Sequence, residues 1–386
     1  MEMFFCDLLK VCKIVFNLFI VFLLLFLCPS CDKRSNKEES NLVTIEKVDS
    51  IRVDWETKIT ILDFDQNKSR YLAVDQVTKE FLIIDNTGKV LESIQRFGDG
   101  PNEYNSSLIA ASFFEEKGGY LLLSSRDLIW YSDVWEVNDR FRFVSEWYAV
   151  FYTGPRYAVP YYYQKNGSDI FVFTNFFSGF NSNAGIKDTN IDFLVEQFNP
   201  VADRLEKVIL FKSADIPRID LPKGNSSMPV QVYHLDKEKN LMYLTFQHSN
   251  EIGVYDLREN FELKYNVNFN HDVFNQSNNS KNVGLFRFDQ GLTGILYFKG
   301  LNESSEVAKK SVDPNYVPFF DPKLYGLILI KDDKSIEVEV PFPFPDCEPN
   351  SEIVQLPGNR ILMRDIYNGD VEPEFSSYSI FEVSVQ

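Results

Sequence analysis

The sequence predicts an all-β chain, a six-bladed β-propeller of four-stranded antiparallel blades, and three observations carry that expectation. Beyond position 41 the apolar residues come in short, often alternating runs rich in Val, Ile, Phe and Tyr, separated by Gly, Asn and Asp, which is the pattern of strands and turns. A strand–turn–strand–turn–strand unit recurs along the chain. Convincing amphipathic helices are absent, and the best candidate, Glu303 to Val312, is short and polar and reads as a loop excursion. A meander of three or four strands cannot bury both faces alone, and repetition at this scale is satisfied by stacking the sheets radially. Seven blades fit the length but not the visible segments, and two β-sandwiches are the other all-β alternative.

Residues 1–30 read as an address rather than a fold. Lys10 and Lys13 precede Ile14 to Leu27, a run that is apolar except at Asn17 and shorter than the roughly 20 residues a spanning helix needs. Leu27-Cys28-Pro29-Ser30-Cys31 follows, then a polar stretch from Asp32. An apolar core, a small residue and then cysteine resembles the lipobox of bacterial lipoproteins, with Cys28 where Leu is usual. The resemblance implies cleavage before Cys31, lipidation of Cys31 and attachment to a membrane. Residues 31–41 then read as a lipidated polar tether and 42–386 as the propeller. Cys6, Cys12 and Cys28 leave with the signal, so Cys347 is the one thiol that stays. Its acidic setting, Pro345-Asp346-Cys347-Glu348-Pro349, disfavours a thiolate.

Within the propeller the clearest unit is Tyr71 to Asp75, Glu80 to Asp85, the turn Asn86-Thr87-Gly88-Lys89, then Val90 to Ile94. A second copy is Leu241 to Phe246, Glu251 to Asp256, the turn Leu257-Arg258-Glu259-Asn260, then Phe261 to Tyr265. The Asp that closes each middle strand suits a turn capped by its own carboxylate, and Gly88 suits a residue with positive φ. Extending this spacing gives blades near 58–104, 107–150, 157–213, 229–270, 290–343 and 350–386. The N-terminal run Leu42 to Val48 is expected to add the outer strand of the last blade.

Between the first two blades lies Arg96-Phe97-Gly98-Asp99-Gly100-Pro101-Asn102-Glu103-Tyr104, a sharp inter-blade turn in which Gly98, Gly100, Pro101 and Glu103 are the structural residues. The pattern resembles the G-x-G-P-x-E-[Y/F] signature of six-bladed propeller lipoproteins of the Bacteroidota, which are similar to the TolB-type propeller. That resemblance implies a fold and an outer-membrane lipoprotein, periplasmic or surface-exposed. It implies no reaction. Asn102 departs from it, since many relatives carry Gly there.

Lys and Arg total 39 against 56 Asp and Glu, a net charge of −17, which disfavours nucleic acid and anionic lipid as partners. No catalytic motif is present. His234, His248 and His271 have no metal-ligand spacing, and His234 and His248 read as turn or edge residues. Asp63-Phe64-Asp65-Gln66-Asn67 begins like a calcium loop but has Lys68 at the sixth position and Val74 at the twelfth, so it reads as a polar turn. No cofactor is expected, although ligands for an axial calcium scattered over several blades would leave no local spacing. The dense aromatics Trp130, Tyr131, Trp135, Tyr161 and Tyr162 suit either strand cores or a ligand surface. The expected function is a lipid-anchored binding module for a protein, peptide or glycan. The alternatives are a metal-dependent hydrolase or lyase with an axial site, and an accessory subunit of an outer-membrane uptake complex.

Overall fold

A computed structural model describes residues 43–142, 159–174, 195–201, 204–209, 231–258, 261–270, 280–332, 336–367 and 374–385. They form six four-stranded antiparallel sheets arranged as a β-propeller. Blade 1 contains β2 (Ile59–Asp65), β3 (Arg70–Asp75), β4 (Glu80–Asp85) and β5 (Val90–Gln95), and blade 2 contains β6 (Leu108–Phe113), β7 (Tyr120–Ser124), β8 (Asp127–Tyr131) and β9 (Val137–Arg142). Blade 3 contains β10 (Tyr161–Lys165), β11 (Ser168–Thr174), β12 (Val195–Asn199) and β13 (Arg204–Ile209). Blade 4 contains β14 (Gln231–Asp236), β15 (Leu241–Phe246), β16 (Glu251–Asp256) and β17 (Leu263–Asn268). Blade 5 contains β18 (Lys281–Arg287), β19 (Leu292–Phe298), β20 (Tyr325–Lys331) and β21 (Glu337–Pro341).

Blade 6 closes the ring. Its strands β22 (Ile353–Leu356), β23 (Arg360–Arg364) and β24 (Phe375–Val385) come from the C-terminal region, and the outer strand β1 (Val43–Asp54) comes from the other end of the chain. β1 lies antiparallel to β24, with Val43 opposite Val385 and Asp54 opposite Phe375. The expected closing strand is therefore present and runs six residues past Val48. Blade 5 begins earlier than expected, at Lys281 rather than near 290. Its first strand, Lys-Asn-Val-Gly-Leu-Phe-Arg, has a bulge between Asn282 and Gly284 that breaks the alternation a sequence reading relies on.

The core is divided among the blade interfaces. Six hydrophobic clusters each draw on two consecutive blades, such as Leu72 and Phe81 with Phe113 and Leu122 between blades 1 and 2. The ring is completed by Leu362 and Tyr378 of blade 6 against Ile59 and Leu82 of blade 1. Middle strands therefore bury both faces, as in Tyr-Leu-Leu-Leu-Ser of β7, while outer strands such as β5 and β17 are mostly exposed. Burying each such Leu, Ile or Phe stabilises by about 1.5–3 kcal/mol relative to exposure.

Connections fall on two rims. Turns from first to second and from third to fourth strand share one rim, and none exceeds six residues (114–119 and 257–262 are the longest). The other rim receives the strand ends joined across 96–107, 143–160, 175–194, 210–230, 269–280, 299–324, 342–352 and 365–374. The short turns are built as expected. The Asp85 carboxylate accepts from the amides of Thr87 (2.8 Å) and Lys89 (3.0 Å), and Gly88 has φ 93°. Asp75 does the same for Val77 and Thr78 on the other rim (2.6 and 2.9 Å). The excursion 299–324 contains an α-helix, α1 (Glu303–Val312), capped by Asn302, whose side chain accepts from the Ser305 amide (2.8 Å).

Candidate functional site

The rim with the long connections is the candidate site, and the turn at 96–104 begins it. Gly100 donates its amide to Glu103 Oε2 (2.7 Å), the Glu103 amide returns to the Gly100 carbonyl (3.1 Å), and Gly98 donates to the Tyr104 carbonyl (3.0 Å). The Glu103 carboxylate fills the space that a Cβ on Gly98 or Gly100 would enter, so a side chain at either position would have to displace that carboxylate from its place against the turn. Arg140 of β9 donates to the Glu103 carbonyl (2.6 Å) and to that of Pro101 (3.4 Å), and Asn102 Oδ1 accepts the Val137 amide (3.1 Å). The four residues Gly98, Gly100, Pro101 and Glu103 thus sit in one knot that fastens blade 1 to blade 2. Asn102 takes part in it through a contact that glycine could not make.

Further round this rim Asp75 is fully buried and accepts from Trp55 Nε1 (2.7 Å) and from the Thr57 hydroxyl. Burial alone would raise this carboxyl, but the hydrogen bonds from Thr57, Trp55 and the amides of Thr78 and Val77 outweigh it and lower the pKa to about 2. Cys347 is completely buried, with its thiol 3.7 Å from Asp365 Oδ1. Burial first, and the Asp365 charge second, push it up to about 12, so it is a thiol at neutral pH and not a nucleophile. The excursion 299–324 is held in shape by Lys309, which donates to Asp321 (2.6 Å) and to the Tyr316 hydroxyl (2.9 Å). Phe319 stacks on Phe298 (4.6 Å) beneath Lys281, while Phe320 is 64% exposed.

The innermost strands carry the titratable groups nearest the axis. Asp63 of β2 accepts the Phe113 amide of blade 2 (2.9 Å), and burial raises its carboxyl to about 6 against the opposing pull of Lys237. His234 lies in β14, the innermost strand and so one edge of its blade, and burial lowers it to about 4. Arg287 of β18 is fixed by Asp332 (2.7 Å) and Thr293 (2.7 Å) and lies over the Tyr243 ring (4.7 Å). Among the described residues no three His, Cys, Asp or Glu side chains converge as metal ligands. Asp65, read from the sequence as part of a polar turn, accepts the amides of Asn67 (3.0 Å) and Lys68 (3.1 Å) and pairs with Arg70 (3.2 Å).

The five aromatics do not share one surface. Tyr131 (0% exposed) and Trp135 (1%) belong to the cluster between blades 1 and 2, where Trp135 stacks on Tyr120 at 4.0 Å. Tyr162 and the partly buried Trp130 belong to the next interface, around Lys117, and Trp130 donates to the Gly118 carbonyl (2.9 Å). Tyr161 is buried one interface further on and donates to Asn240. Their density reflects interblade packing, because the twisted middle strands need large side chains on both faces. The exposed aromatics lie elsewhere, at Phe97, Phe319, Phe320 and Tyr367 on the rim and at Tyr265 on the outer strand β17, and isolated single aromatics in loops gave no sequence signal. Cys31 and His271 lie outside the described residues.

No protein-family model and no curated protein matches the chain. Among solved structures it is similar to a member of the DUF4221 family from Bacteroides vulgatus, with TM-score 0.63 and 10% identity, covering 90% of this chain and 99% of that one. It is also similar to a protein of Bacteroides fragilis thought to be exported, with TM-score 0.51 and 10% identity, covering 90% of this chain and 96% of the other. At these identities the likeness is one of fold, and the fold this chain shares with them is the propeller.

Proposed function

We propose that the protein is a lipid-anchored cell-envelope propeller that acts as a binding module for a protein, peptide or glycan. The observation that carries this reading is that the exposed aromatic side chains of the connections (Phe97, Phe319, Phe320 and Tyr367) all lie on a single rim. Exposed apolar groups concentrated in this way, with polar neighbours, are characteristic of recognition surfaces. The lipobox-like Leu27 to Cys31 supports the anchor, and the shared fold with an exported Bacteroides protein agrees with an envelope setting.

Two measurements on the full-length protein in a Bacteroidota host test the reading. Metabolic lipid labelling is expected at Cys31 and lost in Cys31→Ala, and a variant still held as an integral membrane protein would refute the anchor. Glycan and peptide arrays, with crosslinking from membranes, are expected to return a ligand whose binding falls at least about tenfold in Phe97→Ser/Phe320→Ser, since two exposed anchors are removed. Binding indifferent to that change would move the site elsewhere. Stoichiometric tightly held metal in the purified protein would favour the hydrolase or lyase reading instead.

A further inference from the structure

β1 fixes where the chain enters the propeller. Its first residue, Val43, lies opposite Val385 and its last, Asp54, opposite Phe375. β24 leaves the connection 365–374 at Phe375 and runs to the opposite rim. Val43 therefore stands on the rim of short turns, and Asp54 on the rim of long connections. β1 has 12 residues and covers about 36 Å from the one rim to the other. Val43 follows Cys31 by twelve residues, which span at most about 43 Å when drawn out fully. The two lengths are nearly equal, so a chain anchored at Cys31 has little slack.

We propose that the short-turn rim is the surface turned toward the lipid bilayer, and that the long-connection rim faces away from it, open to a partner arriving from the aqueous side. This orientation rests on the lipid anchor at Cys31 proposed above. Laying the long rim on the bilayer would lift Val43 by most of the length of β1. The residues between Cys31 and Val43 would then have to run near full extension, and a chain held that way loses most of its conformational freedom. With the short rim toward the bilayer, Val43 is close to lipid and the same residues carry no such constraint. The rival arrangement would bed Phe97, Phe319, Phe320 and Tyr367 in the bilayer, since exposed aromatics also suit a lipid interface. The distance from Cys31 to Val43 opposes it. Among the described residues the short turns expose two large apolar side chains, Val134 and Val201, and Val134 stands beside the exposed Asp133. This rim therefore lies beside the headgroups without entering the bilayer, and the reach of the chain sets the orientation.

The test uses the full lipidated chain on phosphatidylcholine vesicles that carry an energy acceptor on their headgroups. A donor dye is placed on either rim of one blade: Gln66→Cys against Val77→Cys in blade 1, and Glu238→Cys against Asn250→Cys in blade 4. All four positions are exposed, and blades 1 and 4 stand opposite each other in the ring, so a tilt of the domain averages out. Cys31 is lipidated and Cys347 is buried, so the new thiol takes the dye. Energy transfer from positions 66 and 238 should exceed that from 77 and 250 at least about threefold, since a six-residue strand sets the rims about 20 Å apart. Inserting about 24 Gly and Ser residues after Ser40 lets the domain turn freely and should remove the difference. Equal transfer from the two rims on the native chain, stronger transfer from 77 and 250, or a difference that survives the insertion would overturn the orientation. Absence of transfer from all four positions together with absence of lipid at Cys31 would overturn the anchor, and the orientation with it.

Discussion

Asp63 and His234 show what the residue scale holds that local sequence does not. Each is perturbed by atoms from other blades, so neither its inner-strand position nor its burial has a local signature. Their effects on stability oppose each other. Asp63 titrates near 6 when folded and near 3.8 otherwise, so the folded state binds the extra proton between those values and gains stability as pH falls through them. His234 titrates near 4 when folded and 6.5 otherwise, so the unfolded state takes the proton and stability falls as pH drops through that window. Relative to the parent, His234→Gln should therefore shift the change in melting temperature between about pH 7 and pH 4.5 upward, and Asp63→Asn should shift it downward. Shifts of the same sign in both variants would refute these assignments. By contrast, the turn carboxylate of Asp85 and the constrained Gly98 and Gly100 were legible, because their partners lie within a few residues in the chain. The aromatics were not. An aromatic-rich strand looks the same whether its second face meets solvent or the next blade.

At the scale of elements the strands were readable wherever hydrophobic runs are bounded by Asp and Gly turns, and unreadable where a bulge intervenes, as in β18. Junctions between elements are built from side chains far apart in sequence. The clearest is the seam between the last and first blades. There Arg364 of β23 pairs with Glu352 (2.5 Å), touches the Tyr378 hydroxyl (3.1 Å) and donates to the Ile59 carbonyl of β2. Both charged side chains are nearly inaccessible, at 6% and 3% exposed. Removing one partner from such a pair strands the other charge, whereas replacing both with apolar groups of similar volume is often close to neutral. Arg364→Ala should cost about 3–5 kcal/mol in urea unfolding, and Arg364→Met with Glu352→Leu much less. Equal losses in the two variants would mean that the seam depends on the guanidinium's contact with Ile59 rather than on charge compensation.

For the whole molecule the decisive fact is that blade 6 is shared between the two ends of the fold. β1 zips onto β24 along its whole length, so the ring cannot open at the blade 6 to blade 1 seam without breaking that strand pairing or the chain at 55–58. The register also brings Val43 opposite Val385, the geometry of a hairpin awaiting its turn. A circular permutant makes the distinction measurable. Joining the end of β24 to Val43 through an Asn-Thr-Gly-Lys turn, copied from 86–89, and cutting between Glu56 and Thr57 gives six blades in strict sequence order. Every strand pair is retained, and so are the Trp55 and Thr57 contacts to Asp75 on either side of the cut. Only covalent continuity across the seam is lost. The permutant should fold with the same β-sheet dichroism yet unfold faster, because the seam is then held by side chains alone, by Arg364, Glu352 and the cluster around Tyr378. Unfolding at the parental rate would show that the ring opens first at some other interface. Failure to fold at all would show that β1 must be in place on blade 6 before blade 1 can dock.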